Sequence, residues 1–260
     1  MTVRTSEERV GIIESGKRLG EILAALEKMV APGVSTEFLN LEAERLIRAG
    51  GDAPAFLNYT PEGARRPYPA ALCVSVNDEV VHGIPNESVR ILKEGDIVAL
   101  DLGLTHEGFI TDSALTVAVG KVSKEAYALM DLTRESLELG IKAARPGNRI
   151  GDISHATGSI FKGSGFSVVK MLGGHAVGRH VHEEPFIAND GYPGTGPEIK
   201  TGMVLAIEPI ANAGKAAVQI APDGYTYRTK DGSISAHFEH TILVEEDETI
   251  VVTRRPDEAA

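Results

Sequence analysis

Cysteine is almost missing from this chain: Cys73 stands alone among 260 residues. A single thiol excludes an intramolecular disulfide framework and any cysteine-based zinc finger, and it suits a reducing compartment. Cations are also scarce. Against 37 Asp and Glu there are 26 Lys and Arg, a formal net charge of −11, which argues against DNA, RNA or an anionic membrane as a partner. No run approaches the roughly 18 apolar residues that a membrane span needs. The opening MTVRTSEERV is polar and lacks the apolar core of a signal peptide. A cytoplasmic protein with no membrane and no DNA contact is expected. No linker or low-complexity stretch interrupts the chain, so one domain over residues 1–260 is expected. A monomer is expected as well, although nothing in the sequence fixes the oligomeric state.

What is present is a repeated pattern. From Ser6 to about Lys28, Ile12, Ile13, Leu19, Ile22, Leu23 and Leu26 recur at helical spacing behind a capping-box-like start. After the break APG, VSTEFLNLEAERLIRAGG reads as a second helix ended by glycines. The same order returns in SKEAYALMDLTRESLELGIKAARPGNRIGDISHATGSIFKGSG, where Pro146-Gly147 stands 114 residues after Pro32-Gly33. Each pair precedes strand-like sequence: ALCVSV, IVALDLGL and ALTVAVG in one half, VLAIEPI, TYRTK and HTILVEE in the other. Helices followed by antiparallel strands, twice over, predict an α+β fold of two related halves, about 1–120 and 121–260.

Four carboxylates sit in apolar strands: Asp101 in IVALDLGL, Asp112 in FITDSALTVAVG, Glu208 in VLAIEPI and Glu239 in HFEHTILV. Taken singly, each could cap a turn or pair with a distant arginine. Four together, with few cationic neighbours in sequence, call for cations, and divalent metals are the natural neutraliser. Oxygen-rich sets with an imidazole suit Mn²⁺, Fe²⁺, Co²⁺ or Zn²⁺, and a two-metal site points to metal-assisted hydrolysis.

The segment GGHAVGRHVHEEP adds His175, His180 and His182 out of eight histidines in the chain. HEEPF opens like a helical zinc-protease motif, but Phe186 stands where the second histidine belongs and Pro185 bars a continuous helix. GGHAVG lacks the order of a phosphate-binding loop. Cys73 has no cationic neighbour in ALCVSV and reads as a wall or core residue with a steric role.

Taken together, VVHGIP (80–85), DLG (101–103), TDS (111–113), GGHAVGRHVHEEP (173–185), IEP (207–209) and EHT (239–241) closely resemble a type I methionine aminopeptidase. The resemblance runs from about Ser6 to Val252 and implies the pseudo-two-fold pita-bread fold. It implies two divalent ions (Co, Mn, Fe, Zn or Ni) on Asp101, Asp112, His175, Glu208 and Glu239, with Asp112 and Glu239 bridging. It also implies that His82 and His182 contact the substrate and that Glu208 moves the proton, while His180 matches no required position and is expected to be solvated or structurally hydrogen-bonded. The implied reaction is hydrolytic removal of N-terminal methionine from nascent proteins whose second residue is small. That substrate allows a transient ribosome contact.

Tyr68, Cys73, Val181, Phe186 and Tyr225 lie near the positions of the family's methionine pocket. Two departures stand out. The loop 56–72 is longer than is usual in the family, which alters the entrance, and His237 replaces the glutamine common two residues before the bridging glutamate, which alters local hydrogen bonding. Only 25 residues separate His182 from Glu208, too few for the insertion of type II enzymes. An X-Pro peptidase shares fold and ligands but usually carries a further N-terminal domain. A non-catalytic binding module would typically have lost metal ligands.

Overall fold

The computed structural model describes residues 1–258. Both helix pairs form: α1 (Ser6–Glu27), α2 (Thr36–Ala49), α3 (Lys124–Ala143) and α4 (Ile150–Ser159). The cap of α1 is Thr5 rather than Ser6; its hydroxyl accepts the Glu8 N–H, which places Ser6 inside the first turn. Among the described residues, no helix is long and apolar enough to cross a membrane.

Among the described residues, fifteen strands accompany the helices. The first half holds β1 (Ala53–Pro54), β2 (Leu72–Val76), β3 (Glu79–Val81), β4 (Ile97–His106) and β5 (Phe109–Ala118). The second half holds β6 (Ser167–Val168), β7 (Gly173–Ala176), β8 (Glu183–Ala188), β9 (Val204–Ile207) and β10 (Ile210–Asn212). It continues with β11 (Val218–Ile220), β12 (Tyr227–Thr229), β13 (Ser235–His237), β14 (Glu239–Val244) and β15 (Thr249–Val251). All six strand-like stretches read from sequence are strands, in an α+β fold. The main sheet runs β1-β4-β5-β14-β9-β7-β8, with β2 paired to β4 and β15 to β14.

The repeat is visible in backbone hydrogen bonds. Gly33 and Gly147 both take left-handed φ, 93° and 87°, a conformation glycine adopts without strain. Gly33 N–H donates to Leu92 O at 2.8 Å and Gly147 N–H to Ile199 O at 3.1 Å. The bonds reciprocate: Leu92 N–H donates to Val34 O at 2.8 Å and Ile199 N–H to Asn148 O at 2.7 Å. Each Pro-Gly turn is therefore tied to the chain just ahead of a site strand, β4 in one half and β9 in the other.

Alternation along β4 divides its side chains between two faces. Leu100, Leu102 and Leu104 join Leu19 and Leu23 of α1 and Leu39 and Ile47 of α2 in the main apolar cluster. Full burial of such a side chain contributes about 1.5–3 kcal/mol. Asp101 and Gly103, between them, face the opposite way. On β5 the same division sends Thr111 toward α1, where its hydroxyl lies 3.0 Å from Ser15 Oγ, and leaves Asp112 on the face of Asp101. The polar face of the sheet is thus set by apolar anchoring of the other.

Candidate metal centre and active site

Five adjacent strands each deliver one polar residue to the same place: Asp101 from β4, Asp112 from β5, Glu239 from β14, Glu208 just past β9 and His175 from β7. Register explains the convergence. Ala114 of β5 is paired with both Asp101 and Glu239, so those two carboxylates flank a small side chain at one level of the sheet. Asp112 lies two residues along the same face. His175 is paired with Ala206, two residues before Glu208. The five residues read from sequence as a ligand set are brought together, around one cavity.

Three of their carboxylates are buried and each has an unpartnered oxygen. Asp101, Asp112 and Glu239 are 8%, 4% and 2% exposed. Asp101 Oδ1, Asp112 Oδ1 and Glu239 Oε1 are buried without a hydrogen-bond partner. Among the described residues, no Lys or Arg lines the cavity. Burial, reinforced by Glu208, raises the Asp101 pKa to about 6. Burial and the neighbouring carboxylates push Asp112 and Glu239 well above the usual carboxylate range. Anions so placed are costly unless a cation joins them.

His175 is oriented so that it could join such a cation. Its Nδ1 lies 3.0 Å from the Ala176 carbonyl oxygen, and since a carbonyl only accepts, Nδ1 carries the proton. The lone pair on Nε2 then faces Asp112 Oδ2 at 4.0 Å and Glu208 Oε1 at 3.9 Å. A lone pair aimed at two carboxylates is repulsive by itself and attractive through a shared ion. Ligand atoms of Asp112, His175 and Glu239 all lie within 4.8 Å of one another. Hard oxygens plus a neutral imidazole suit a divalent ion, and the backbone contact at Nδ1 is the usual means of orienting such a ligand.

His82 follows β3 and has a φ of 58°, the left-handed region that a non-glycine residue seldom occupies. Gly83 permits the placement. A Cβ there would collide with the Val74 carbonyl; instead Gly83 N–H donates to Ser75 Oγ at 3.1 Å, and Gly83 O accepts from Val74 N–H at 3.0 Å. Burial, ahead of the neighbouring imidazoles, lowers the His82 pKa to about 4. His182 stands at the exposed rim just before β8, its ring centroid 4.5 Å from that of His175. Tyr59 OH approaches its Nδ1 to 3.0 Å. Both histidines line the cavity.

The rest of the wall is largely apolar. Phe56, Tyr68, Cys73, Val181 and Tyr225 form one buried cluster, and all but Val181 line the cavity. The Cys73 thiol is pushed well upward, first by burial and then by Asp101, which keeps it protonated and consistent with a wall role. Phe186 departs from expectation. It is 49% exposed and, with Met171, flanks an adjoining cleft that shares His82, His175, His182 and Glu208. Its neighbour Ile187 is paired with Gly174 and buried, so alternation along β8 turns Phe186 to the other face. His180 is exposed, as expected, its N–H donating to Glu183 Oε1.

Sequence reasoning missed Phe56, Tyr59 and Pro61 as lining residues. All three come from the long loop 56–72, folded inward by hydrogen bonds from Asn58 N–H to Tyr68 O at 2.9 Å and from Tyr68 N–H to Tyr59 O at 2.8 Å. The available signal was the density of aromatics in that loop. His237, noted in sequence only as a departure, is buried between Glu208 and Glu239.

Comparison with known proteins agrees with this geometry. Residues 11–246 match the model of metallopeptidase family M24. The methionine aminopeptidase 1 of Bacillus subtilis (strain 168) is 42% identical over 255 residues, 98% of this chain and 100% of that protein. A crystal structure of methionine aminopeptidase from Thermotoga maritima superposes with a TM-score of 0.92 at 39% identity, covering 98% of this chain and 100% of the other. An Xaa-Pro dipeptidase from Bacillus anthracis shares the fold, TM-score 0.77 at 20% identity, but this chain covers only 63% of it. A strand-borne carboxylate and imidazole set in a pita-bread sheet, with full-length matches of this kind, places the chain in metallopeptidase family M24, among the methionine aminopeptidases.

Proposed function

We propose that this chain removes N-terminal methionine from nascent proteins whose second residue is small, using two divalent ions. Asp112, His175, Glu208 and Glu239 would hold one, and Asp101, Asp112 and Glu239 the other. The observation that carries the reading is the His175 lone pair facing Asp112 and Glu208 in a cavity where one buried oxygen each of Asp101, Asp112 and Glu239 has no hydrogen-bond partner.

Bound divalent ions of the Co, Mn, Fe, Zn or Ni type supply Lewis acidity toward the scissile carbonyl and a water acidic enough to be a nucleophile near neutral pH. The chain's own residues do the rest. Phe56, Tyr68, Cys73 and Tyr225 enclose the flexible thioether side chain. His82, kept neutral at pH 7 by burial, and His182 at the rim offer imidazole N–H groups to the peptide bond and to the charge that develops on it. Glu208 takes a proton from the nucleophile and passes it to the departing amine.

The chain acts in the cytoplasm as a monomer, on substrates that bring it into transient contact with the ribosome. Assaying Met-Ala and Met-Lys peptides beside X-Pro peptides, with and without added Mn²⁺ or Co²⁺, tests the reading. Metal-dependent release of methionine from Met-Ala alone is expected. X-Pro cleavage, or peptide binding without hydrolysis, would overturn it.

A further inference from the structure

His237 has no part in the ligand set above, yet its environment is unusual. The side chain is 2% exposed, and neither ring nitrogen makes an aligned hydrogen bond. Nε2 lies 3.2 Å from Glu208 Oε2 and 4.0 Å from Glu239 Oε2. The backbone that delivers it is clamped on both edges of β13. Its N–H donates to Thr116 Oγ1 at 2.9 Å, the Thr116 hydroxyl donates to His237 O at 2.8 Å, and His237 is registered against Ile210 of β10. The backbone beneath the imidazole is therefore fixed, and the buried ring lies within 4.0 Å of both carboxylates.

The two oxygens of Glu208 have different neighbours. Oε2 is the one near His237, whereas Oε1 faces His175 Nε2 at 3.9 Å. The 3.2 Å separation is short enough for a hydrogen bond and fails only in alignment, and the last torsion of a glutamate is soft. We propose that His237 is a positioning residue of the metal centre: its Nε2–H engages Glu208 Oε2 and turns Oε1 toward His175, so that both lone pairs converge on one ion. Groups that orient a ligand in this way typically alter metal affinity by about 10–100-fold when removed. The inference rests on the reading of Glu208 as a ligand.

The test uses the full chain, stripped with a chelator and titrated with Mn²⁺ by calorimetry and with Co²⁺ by visible absorption. His237→Ala is expected to weaken one of two ions by about 10–100-fold, to change the Co²⁺ spectrum of that ion and to spare the other. His237→Gln, whose amide can still donate to Oε2, is expected to restore most of the affinity and the wild-type spectrum. Should alanine unfold the protein, His237→Phe keeps the ring without the donor and carries the same expectation. Wild-type affinity for both ions in the Ala or Phe variant would overturn the proposal. So would a Gln variant whose Co²⁺ spectrum differs from wild type as much as that of the Ala variant, since His237 would then be a direct ligand. Wild-type protein that takes up no ion would instead overturn the metal reading on which the inference stands.

Discussion

Asp101 and Glu208 occupy equivalent positions in the two halves of the fold. Each stands six residues after a glycine with left-handed φ, Gly95 at 94° and Gly202 at 88°, and each follows a buried strand segment, Ile97–Leu100 in one case and Val204–Ile207 in the other. The two strands lie on either side of β5 and β14 in the sheet. A single turn-and-strand device, used twice, thus brings two carboxylates to one cavity from opposite directions.

Removing the cation should expose the cost of that convergence. Protein dialysed against a strong chelator is expected to lose methionine release and to regain it with Co²⁺, Mn²⁺ or Fe²⁺. Full activity at a metal content of zero by elemental analysis would exclude a metal mechanism. Glu239→Ala should lower bound metal more than Asp101→Ala, because the proposed ligand set has Glu239 serving both ions and Asp101 only one. Equal metal content in the two variants would contradict that sharing.

Substrate choice should follow the second residue. Met-Gly, Met-Ala, Met-Ser, Met-Thr and Met-Val peptides are expected to be cleaved, and Met-Lys, Met-Arg and Met-Leu retained. Norleucine should replace methionine at modest loss, since an apolar pocket distinguishes such a change by only about 1–3 kcal/mol. Comparable kcat/KM for Met-Ala and Met-Lys would refute the small-residue rule.

The histidines should separate by role. His82→Ala and His182→Ala are expected to lower kcat about 10²–10³-fold, the scale of losing one transition-state donor, with metal content near wild type. His175→Ala should lower both rate and metal occupancy. His180→Ala, at an exposed position outside the cavity, should change neither. Loss of metal in the His82 variant, or full occupancy in the His175 variant, would reverse the assignment.

Burial of His82 also has a signature in stability. Its folded pKa is lowered from 6.5 to about 4, so on acidification the unfolded imidazole takes up a proton that the folded one refuses. Its contribution is present in full above pH 6.5 and is lost between there and about pH 4. In metal-free protein unfolded with urea, His82→Ala should flatten the fall in stability across that window. Parallel slopes for variant and wild type would show that the ring is not shielded from protons.

The start of β2 depends on one side chain of α2. Asn40 Oδ1 accepts from Ala71 N–H at 2.9 Å and Leu72 N–H at 3.2 Å, all buried. Asn40→Ala strands both donors and is expected to cost about 1–3 kcal/mol for each unmatched group, read as a lower urea midpoint with an unchanged slope. A midpoint equal to wild type would mean that water reaches these amides.

Much of this protein was legible in its sequence because the signals are local. Helical periodicity, Pro-Gly turns and carboxylates in apolar strands lie within windows of a few residues, and they announce the helix pairs, the strands and the charge imbalance that a cation must correct. Tertiary structure decided the rest. The partners of Asp112 at the site, His175, Glu208 and Glu239, are 63 to 127 residues away in sequence, and only strand register settles that they share a face. Phe56 and Tyr59 reach the cavity because their loop folds inward, while Phe186, beside the histidine cluster in sequence, is turned outward. His237 shows the same division most sharply. Its identity was evident from the start, but its place between Glu208 and Glu239 depends on β13 being clamped against Thr116, a contact 121 residues away that no short-range pattern encodes.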